Sequence, residues 1–338
     1  MEPLRPARCF RPMIGSAVTS ASGASQPQVF TALCKLGRVL QEGGYSFVTP
    51  TPLTIERVNT RPENATARSL RDFFGWSRPA PPDLLPPAIA SLTRHAGILE
   101  KRGSLVASRV RFSTLCGMLF VHSAFPTLSP DSVFFGPDTY RFAGLVERTI
   151  AALATPPRSV LDLGCGSGAG GIVASCAAAN RPFVVLSDIN AVALRLARVN
   201  ARMADTAAVT VAADVCAAFA ASAPQKFDLI IANPPYLRDP TRRLYRDGGG
   251  AFGEALSLRI LREGLVHLAP RARLVLYTGS AIVDGHDLFR AQVEQVVSEA
   301  GLVYDYSEID PDVFGEELEA ASYRDVERIA AVSLVVCG

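Results

Sequence analysis

The chain has no run of about 18 apolar residues free of charge, so no segment reads as a membrane-spanning helix and no membrane partner is expected. The Ala-rich stretch 206–223 comes nearest, and Asp214 interrupts it. The opening MEPLRPARCFRPMIGSAVTSASGASQPQ lacks the unbroken apolar core of a secretory signal. It mixes Arg, Pro, Ser and Gly without period, and residues 1–27 are expected to form a disordered tail. None of the seven cysteines forms a Cys-x-x-Cys pair, and their number is odd. That excludes a zinc ribbon or a disulfide framework, suits a reducing cytoplasm, and leaves no metal site to expect. No internal repeat is visible. Histidine is scarce, and His267 and His286 fall near helix ends, where capping or surface roles suffice.

What is present fits two domains. The 338 residues are 49% hydrophobic with a mean hydropathy of +0.21, a well-buried globule. The net charge of +2 hides an asymmetry. Residues 1–130 carry 15 Lys and Arg against 7 Asp and Glu; residues 131–338 carry 19 against 25. The basic front half is either a face for an acidic partner or a set of solvated arginines.

Residues 28–42 place Val29, Leu33, Leu36 and Leu40 on one helical face, ended by Gly43-Gly44. Prolines break 45–82, with a short helix expected over 64–75 and another over 83–99. LVASRVRF (105–112) alternates as a strand, and MLFVHS (118–123) follows the break at Cys116-Gly117. Helices followed by a hairpin give residues 28–128 the look of a small α+β, winged-helix-like recognition module. From about 129 the pattern changes to strands at 159–164, 183–188, 209–214, 227–233, 272–279, 302–309 and 330–337. Helices at 169–180, 190–204, 253–268 and 286–300 alternate with them. Residues 129–338 therefore predict an α/β domain, a mostly parallel sheet with helices on both faces.

The first strand runs into DLGCGSGAGG (162–171). Glycines at 164, 166, 168, 170 and 171 let the backbone approach a ligand at the carboxyl end of that strand. Two acids accompany them. Asp162 ends the strand; Asp188 ends the second strand and can take both hydroxyls of a ribose. Asp214 ends the third strand, where it either reaches an adenine amino group or simply faces solvent. Gly166, Gly168 and Gly171 also spell the dinucleotide fingerprint, which leaves a nicotinamide-dependent oxidoreductase as a rival. Asp162 separates the two readings, because an acid there suits an α-amino group and repels a pyrophosphate.

VLDLGCGSG followed by SDIN resembles the first two motifs of the class I S-adenosylmethionine-dependent methyltransferases. The resemblance covers about 130–338 and implies a Rossmann-like seven-stranded sheet whose last strand, 330–337, is antiparallel. It implies S-adenosylmethionine as cofactor. Asp162, Gly164, Cys165, Gly166, Ser167 and Gly168 would lie along its methionine part, with Asp188, Ile189 and Asp214 along its nucleoside.

The fourth strand ends in DLIIANPPYLRD (228–239). Prolines at 234 and 235 fix φ and carry no N–H, and Pro234 holds Asn233 out of helical geometry. The result is a stiff corner rich in oxygen acceptors. The Asn233 side-chain oxygen and the Pro234 carbonyl suit a planar –NH₂ with two hydrogens, and Tyr236 offers a flat face to its plane. Positioning and fixed dipoles would then drive methyl transfer to a poorly nucleophilic nitrogen without a strong base. This N-P-P-Y resembles that of amino-methyltransferases: HemK-type protein-glutamine methyltransferases, adenine-specific DNA enzymes and guanine-specific ribosomal RNA enzymes. Asn233 would also border the cofactor.

FFGPDTYRFAGLV (134–146) is similar to the Pro-Asp-Thr-Glu segment that lines the substrate pocket in HemK-type enzymes. Pro137, Asp138 and Thr139 match; Tyr140 replaces the Glu. Asp138 or Thr139 equally suits the cap of the following helix. Glycines 248–250 resemble the family's flexible loop. The front module departs from the family's compact helical bundle. Arg57, Arg61, Arg68, Arg71 and Arg78, interleaved with Phe73, Phe74 and Trp76, would suit a nucleic acid; the plainer alternative is core aromatics with solvated arginines. The resemblance thus implies a macromolecular substrate, a protein glutamine first and an rRNA or DNA base second. A nucleic-acid-binding protein with a decayed methyltransferase domain is disfavoured by the intact motif set.

Overall fold

The computed structural model describes residues 25–219 and 225–338. The tail expected over 1–27 lies outside the described residues as far as 24, while Gln26 and Pro27 already belong to the first helix. That helix, α1 (Gln26–Glu42), carries Pro27 in its first turn, where a missing N–H costs nothing, and buries Leu33, Leu36 and Leu40. α2 (Pro52–Asn59) is capped by the Thr51 hydroxyl, which accepts the Thr54 N–H at 3.2 Å.

The helix expected over 64–75 shrinks to α3 (Leu70–Phe74). Ser69 is the reason: its hydroxyl accepts the Asp72 N–H at 3.1 Å, and the Asp72 carboxylate accepts the Arg68 N–H at 3.1 Å. This reciprocal cap sets the start at Leu70. α4 (Pro87–His95) is shorter than the expected 83–99, because Gly97 at φ 66° turns the chain into a strand at Leu99.

The single strand expected over 105–112 is two strands. β1 (Leu99–Arg102) pairs with β2 (Leu105–Ser108), and β3 (Val110–Leu115) pairs with β4 (Met118–Ser123). The Ser108 hydroxyl donates to the Val110 carbonyl at 2.7 Å and accepts its N–H at 3.2 Å, which jogs the chain at Arg109. The interleaved aromatics are core. Phe73 and Phe74 are fully buried, Phe74 stands edge-on to Phe112, and Trp76 packs on Phe47. Arg78 is buried and bonded to Asp72 and Asn59. No base-stacking platform forms from these residues.

After α5 (Pro137–Ala151) the chain alternates as expected. The elements are β5 (Ser159–Leu163), α6 (Ala169–Ala177), β6 (Phe183–Asp188), α7 (Ala191–Met203), β7 (Ala208–Ala212), β8 (Phe227–Ala232) and α8 (Ala255–Leu265). Then come β9 (Leu268–Val283), a short return strand β10 (His286–Asp287), α9 (Leu288–Glu299), β11 (Val303–Asp310) and β12 (Arg328–Cys337). The main sheet runs β11–β12–β9–β8–β5–β6–β7. β12 is antiparallel to both neighbours and the inner pairs are parallel. This is the Rossmann-like seven-stranded order with an antiparallel last strand.

Alternation along the strands fills two cores. Leu229 and Ile231 of β8 face a layer holding Phe142 and Val146 of α5 and Ile172 of α6. Ile230 and Ala232 face Leu258 and Leu261 of α8 and Val293 of α9. α7 is buried on two sides. Ala197 and Ala201 meet the sheet layer, while Ala193, Leu196 and Val199 join the front-half core with Leu33, Leu36, Phe74 and Val121. α7 thus packs on the sheet layer with one side and on residues that precede 129 with the other.

Candidate active site

β5 is flanked by β6 on one side and β8 on the other, so the chain order reverses across it and a crevice opens at its carboxyl end. Gly164, Gly166 and Gly168 sit there at φ 66°, 54° and 78°, a left-handed path that other residues resist. A Cβ added at Gly164 or Gly166 would meet no atom within 4 Å, so the inner edge of the loop is open. Gly171 does a different job: its missing side chain lets α6 lie against Val184 and Leu186. Cys165 and Ser167 are buried within the loop, and the Cys165 N–H donates to the Ser187 carbonyl at 2.9 Å.

Asp162 is 2% exposed and accepts the Gly171 N–H at 2.8 Å. Burial pushes its carboxyl up to about 7, a backbone hydrogen bond from Gly171 opposes the shift, and the charge of Asp188 adds to it. Asp188 accepts the N–H groups of Gly166 and Asn190, each at 2.8 Å, and burial raises it too. Ile189 follows with 59% of its surface exposed, an apolar face in water beside a ribose-type acid. Asp214 lies two residues past β7 at the crevice rim, where it pairs with Arg259 at 2.8 Å.

Asn233 stands just beyond β8, half-buried, and its side chain has no hydrogen-bond partner among the described residues. Pro234 is buried and Pro235 half-buried beside it. Tyr236 is placed otherwise than expected. Its ring is 7% exposed, stands edge-on to Tyr277 and Phe314, and packs where a side chain on Gly279 would be. It braces the corner through these ring contacts while still contributing to the cavity lining. The glycines after it are pinned. Gly248 donates to the Leu237 carbonyl at 2.9 Å, and a Cβ on Gly248 or Gly253 would collide with backbone.

Of the segment 137–139, Thr139 supplies the cap: its hydroxyl accepts the Gly136 N–H at 3.3 Å. Asp138 does not. It is buried and accepts hydrogen bonds from the hydroxyls of Tyr236 and Tyr277 and from Arg141. Tyr140 points to the front module and its hydroxyl accepts the Thr49 N–H at 3.0 Å.

One cavity of about 480 Å³ is lined by the loop 162–167, Asp188 and Ile189, Asp214, Asn233 to Tyr236, and Asp138 and Thr139; Pro137, Gly168 and the glycines 248–250 are not among its lining residues. None of the four histidines lines it. Residues that the sequence did not single out complete it. Leu53 and Glu56 of α2 bring the front module to its edge, and Phe125 to Leu128 cross over it. That crossing is tied down by Tyr245, whose hydroxyl donates to the Thr127 carbonyl at 2.6 Å, and by Asn190, whose amide donates to the Asp131 carbonyl at 2.8 Å. Asn190 was visible in SDIN; the crossing has no local signature.

The cavity suits a cofactor with a cationic amino-acid end. Asp162 is a desolvated carboxyl group with no cation beside it among the described residues, the loop edge is open, and Ile189 offers an apolar face for a planar base.

A family model for the methyltransferase small domain matches residues 146–245. The release factor glutamine methyltransferase of Cereibacter sphaeroides is 32% identical over 216 residues, 59% of this chain and 70% of that protein. That of Escherichia coli is 28% identical over 188 residues, 54% of this chain and 64% of that protein, so the chain spans less than two thirds of it. A solved S-adenosylmethionine-dependent methyltransferase from Agrobacterium tumefaciens aligns at 18% identity and TM-score 0.45, over 70% of this chain and 71% of that one. The extent of the Cereibacter sphaeroides match, together with the sheet order and the glycine crevice, makes this chain a member of the release factor glutamine methyltransferase family and an S-adenosylmethionine-dependent methyltransferase.

Proposed function

We propose that the protein methylates the side-chain amide of a glutamine in a protein substrate, in the cytoplasm. One observation carries the reading: the Asn233 amide, without a hydrogen-bond partner among the described residues, and Pro234 share a cavity with the glycine loop and Asp188. The names of the relatives point to the same acceptor.

When bound, S-adenosylmethionine supplies an electrophilic methyl group on a sulfonium. Asp162 would hold its α-amino end, with Gly164, Cys165, Gly166, Ser167 and Gly168 along the methionine chain. Asp188 would take the ribose hydroxyls, Ile189 would cover the base, and Asp214 would stand at its rim. The Asn233 oxygen and the Pro234 carbonyl would each accept one N–H of the substrate amide. That fixes the nitrogen, aims its electron pair, and favours the positive charge it gains on transfer. Pro235 stiffens the corner, and Tyr236 braces it from below. Asp138 and Thr139, beside Pro137, would set the substrate wall. Residues 28–128 would recognise the substrate, and 129–338 would carry the chemistry.

The excess of cations in the front half favours a second acceptor, the exocyclic amine of a nucleic-acid base. Methyl-labelled cofactor offered in parallel to release factors, ribosomal subunits and DNA decides between them. Label recovered on a release-factor glutamine is the expected result. Label confined to nucleic acid overturns the glutamine assignment.

A further inference from the structure

α7 has three sides. One faces the sheet and one faces the front module. The third is solvent, and its exposed positions are Ala191, Arg195, Arg198 and Arg202. After the first residue, every exposed position on this helix is arginine. The spacing of three and then four residues puts the three on one stripe. Arg195 and Arg202 lie about 10 Å apart along the axis at roughly 1.5 Å per residue.

A solvated helix face ordinarily mixes both signs, since like charges one turn apart repel. Here no acid intervenes. Arg38, exposed on α1, adds a fourth cation from the neighbouring helix. Burial raises the thiol of Cys34 on α1, and the positive charges of Arg38, Arg202 and Arg198 oppose that rise. Arg198 is further held over the Phe30 ring at 5.0 Å. Among the described residues none of the four arginines makes an ion pair. Arg78, Arg102 and Arg109 have carboxylate partners, whereas Arg57, Arg61, Arg68, Arg71, Arg94 and Arg111 have none among the described residues, so it is the single helical stripe that sets Arg195, Arg198 and Arg202 apart.

The stripe also has a direction. α7 begins beside Asp188 and Asn190 at the cavity edge, and Ala193 of its first turn lines the cavity. The arginines continue outward from there along the seam between the two units.

We propose that Arg38, Arg195, Arg198 and Arg202 form a docking track for the phosphate backbone of a nucleic acid. The span of the stripe matches about three backbone steps of a stacked strand at about 3.4 Å each. Guanidiniums are suited to phosphate by their fork of donors. This inference rests on the surface alone and does not depend on which –NH₂ group receives the methyl.

The test is fluorescence anisotropy of a labelled 20-nucleotide oligouridylate, titrated with the full chain between 50 and 200 mM salt, with a duplex DNA of equal length beside it. The comparison protein is Arg38→Gln/Arg195→Gln/Arg198→Gln/Arg202→Gln, which keeps helix-forming side chains. Expected is at least tenfold weaker binding at 50 mM salt. The log affinity against log salt should also become shallower by 2–3 for the single strand, at roughly 0.7 for each phosphate no longer neutralised. S-adenosylmethionine affinity should not change. Parallel weakening on the duplex supports the track equally. Unchanged affinity and slope overturn it, as does absence of wild-type binding at 50 mM salt. Polyglutamate competing as well as oligouridylate at equal charge also overturns it. If the quadruple variant loses its helical circular dichroism, Arg202→Glu alone is compared instead, with weaker binding and a slope shallower by about 0.7 expected, and unchanged affinity and slope overturning the track.

Discussion

Asp138 and Tyr236 lie 98 residues apart in the chain and share a buried hydrogen bond of 2.8 Å. The Tyr277 hydroxyl donates to the other carboxylate oxygen at 2.7 Å, and Arg141 adds a third donor at 3.2 Å. The first turn of α5 therefore sets the height of the residue that follows Pro235, and through it the pair of acceptors at Asn233 and Pro234. Asp138→Asn presents an –NH₂ to at least one of these donors. We expect a loss of about 1–3 kcal/mol in urea unfolding. The turnover rate should fall at least tenfold, with cofactor affinity changed less than threefold. Tyr236→Phe removes one donor and leaves the carboxylate two, so its effect on both should be smaller.

Asn233→Ala removes an acceptor without touching the core, since the side chain is half-buried and bonded to no described residue. The rate of methyl transfer should fall by about 10²–10³, the range for losing one preorganised dipole at a reacting group. Calorimetric affinity for S-adenosylmethionine should stay within a few-fold. Transfer at the wild-type rate would remove Asn233 from the mechanism.

Much of this was legible in the sequence because the signals are local. The strand-to-helix alternation after residue 129, the glycine turn at 164–168 and the acid at 188 each declare themselves within ten residues. The N-P-P-Y corner is equally plain as a motif. The direction of the Tyr236 ring was not, because its partner Asp138 is set by a distant helix. The same limit hid the crossing at 125–128 and the double burial of α7, where a periodic apolar pattern does not say which neighbour each side meets. Ser69 and Ser108 show the opposite case: a single hydroxyl bonded to nearby backbone delayed the start of one element and split another that periodicity had drawn longer.

Asn200 joins the two units through one side chain. It is 1% exposed, accepts the Val121 N–H at 2.8 Å, and donates to the carbonyls of Val121 at 2.9 Å and Ser167 at 2.8 Å. β4 of the front module and the cofactor loop thus hang from the same amide. Asn200→Leu keeps the branched shape with somewhat more bulk and strips the partners, at about 1–3 kcal/mol for each buried group left unpaired. Ser167 also loses its tether, so S-adenosylmethionine should stabilise the variant less than the wild type. Unfolding midpoints with and without cofactor measure both effects. An equal cofactor-induced shift in the two proteins would reduce Asn200 to a purely structural role.

Asp162 makes cofactor affinity depend on pH in a defined direction. Its carboxyl rises from 3.8 to about 7 in the fold, chiefly through burial. A group raised in this way binds more protons folded than unfolded, so its contribution to stability is full below about pH 4 and is lost as pH climbs through 7. The ligand-free protein should therefore lose stability across that window. A cationic amino group needs the ionised form, so S-adenosylmethionine affinity should rise about tenfold per pH unit up to about 7 and release a proton there. Above about pH 8 it should fall again as an α-amino group of ordinary pKa discharges. Asp162→Asn keeps an oxygen for the Gly171 N–H and removes the charge. It should melt higher than the wild type at pH 8 without ligand, yet bind S-adenosylmethionine at least tenfold more weakly and with no proton release. Calorimetry in two buffers of different ionisation enthalpy reads the proton directly. A wild type that binds equally well at pH 5.5 and pH 7.5 would mean that Asp162 does not hold the amino group.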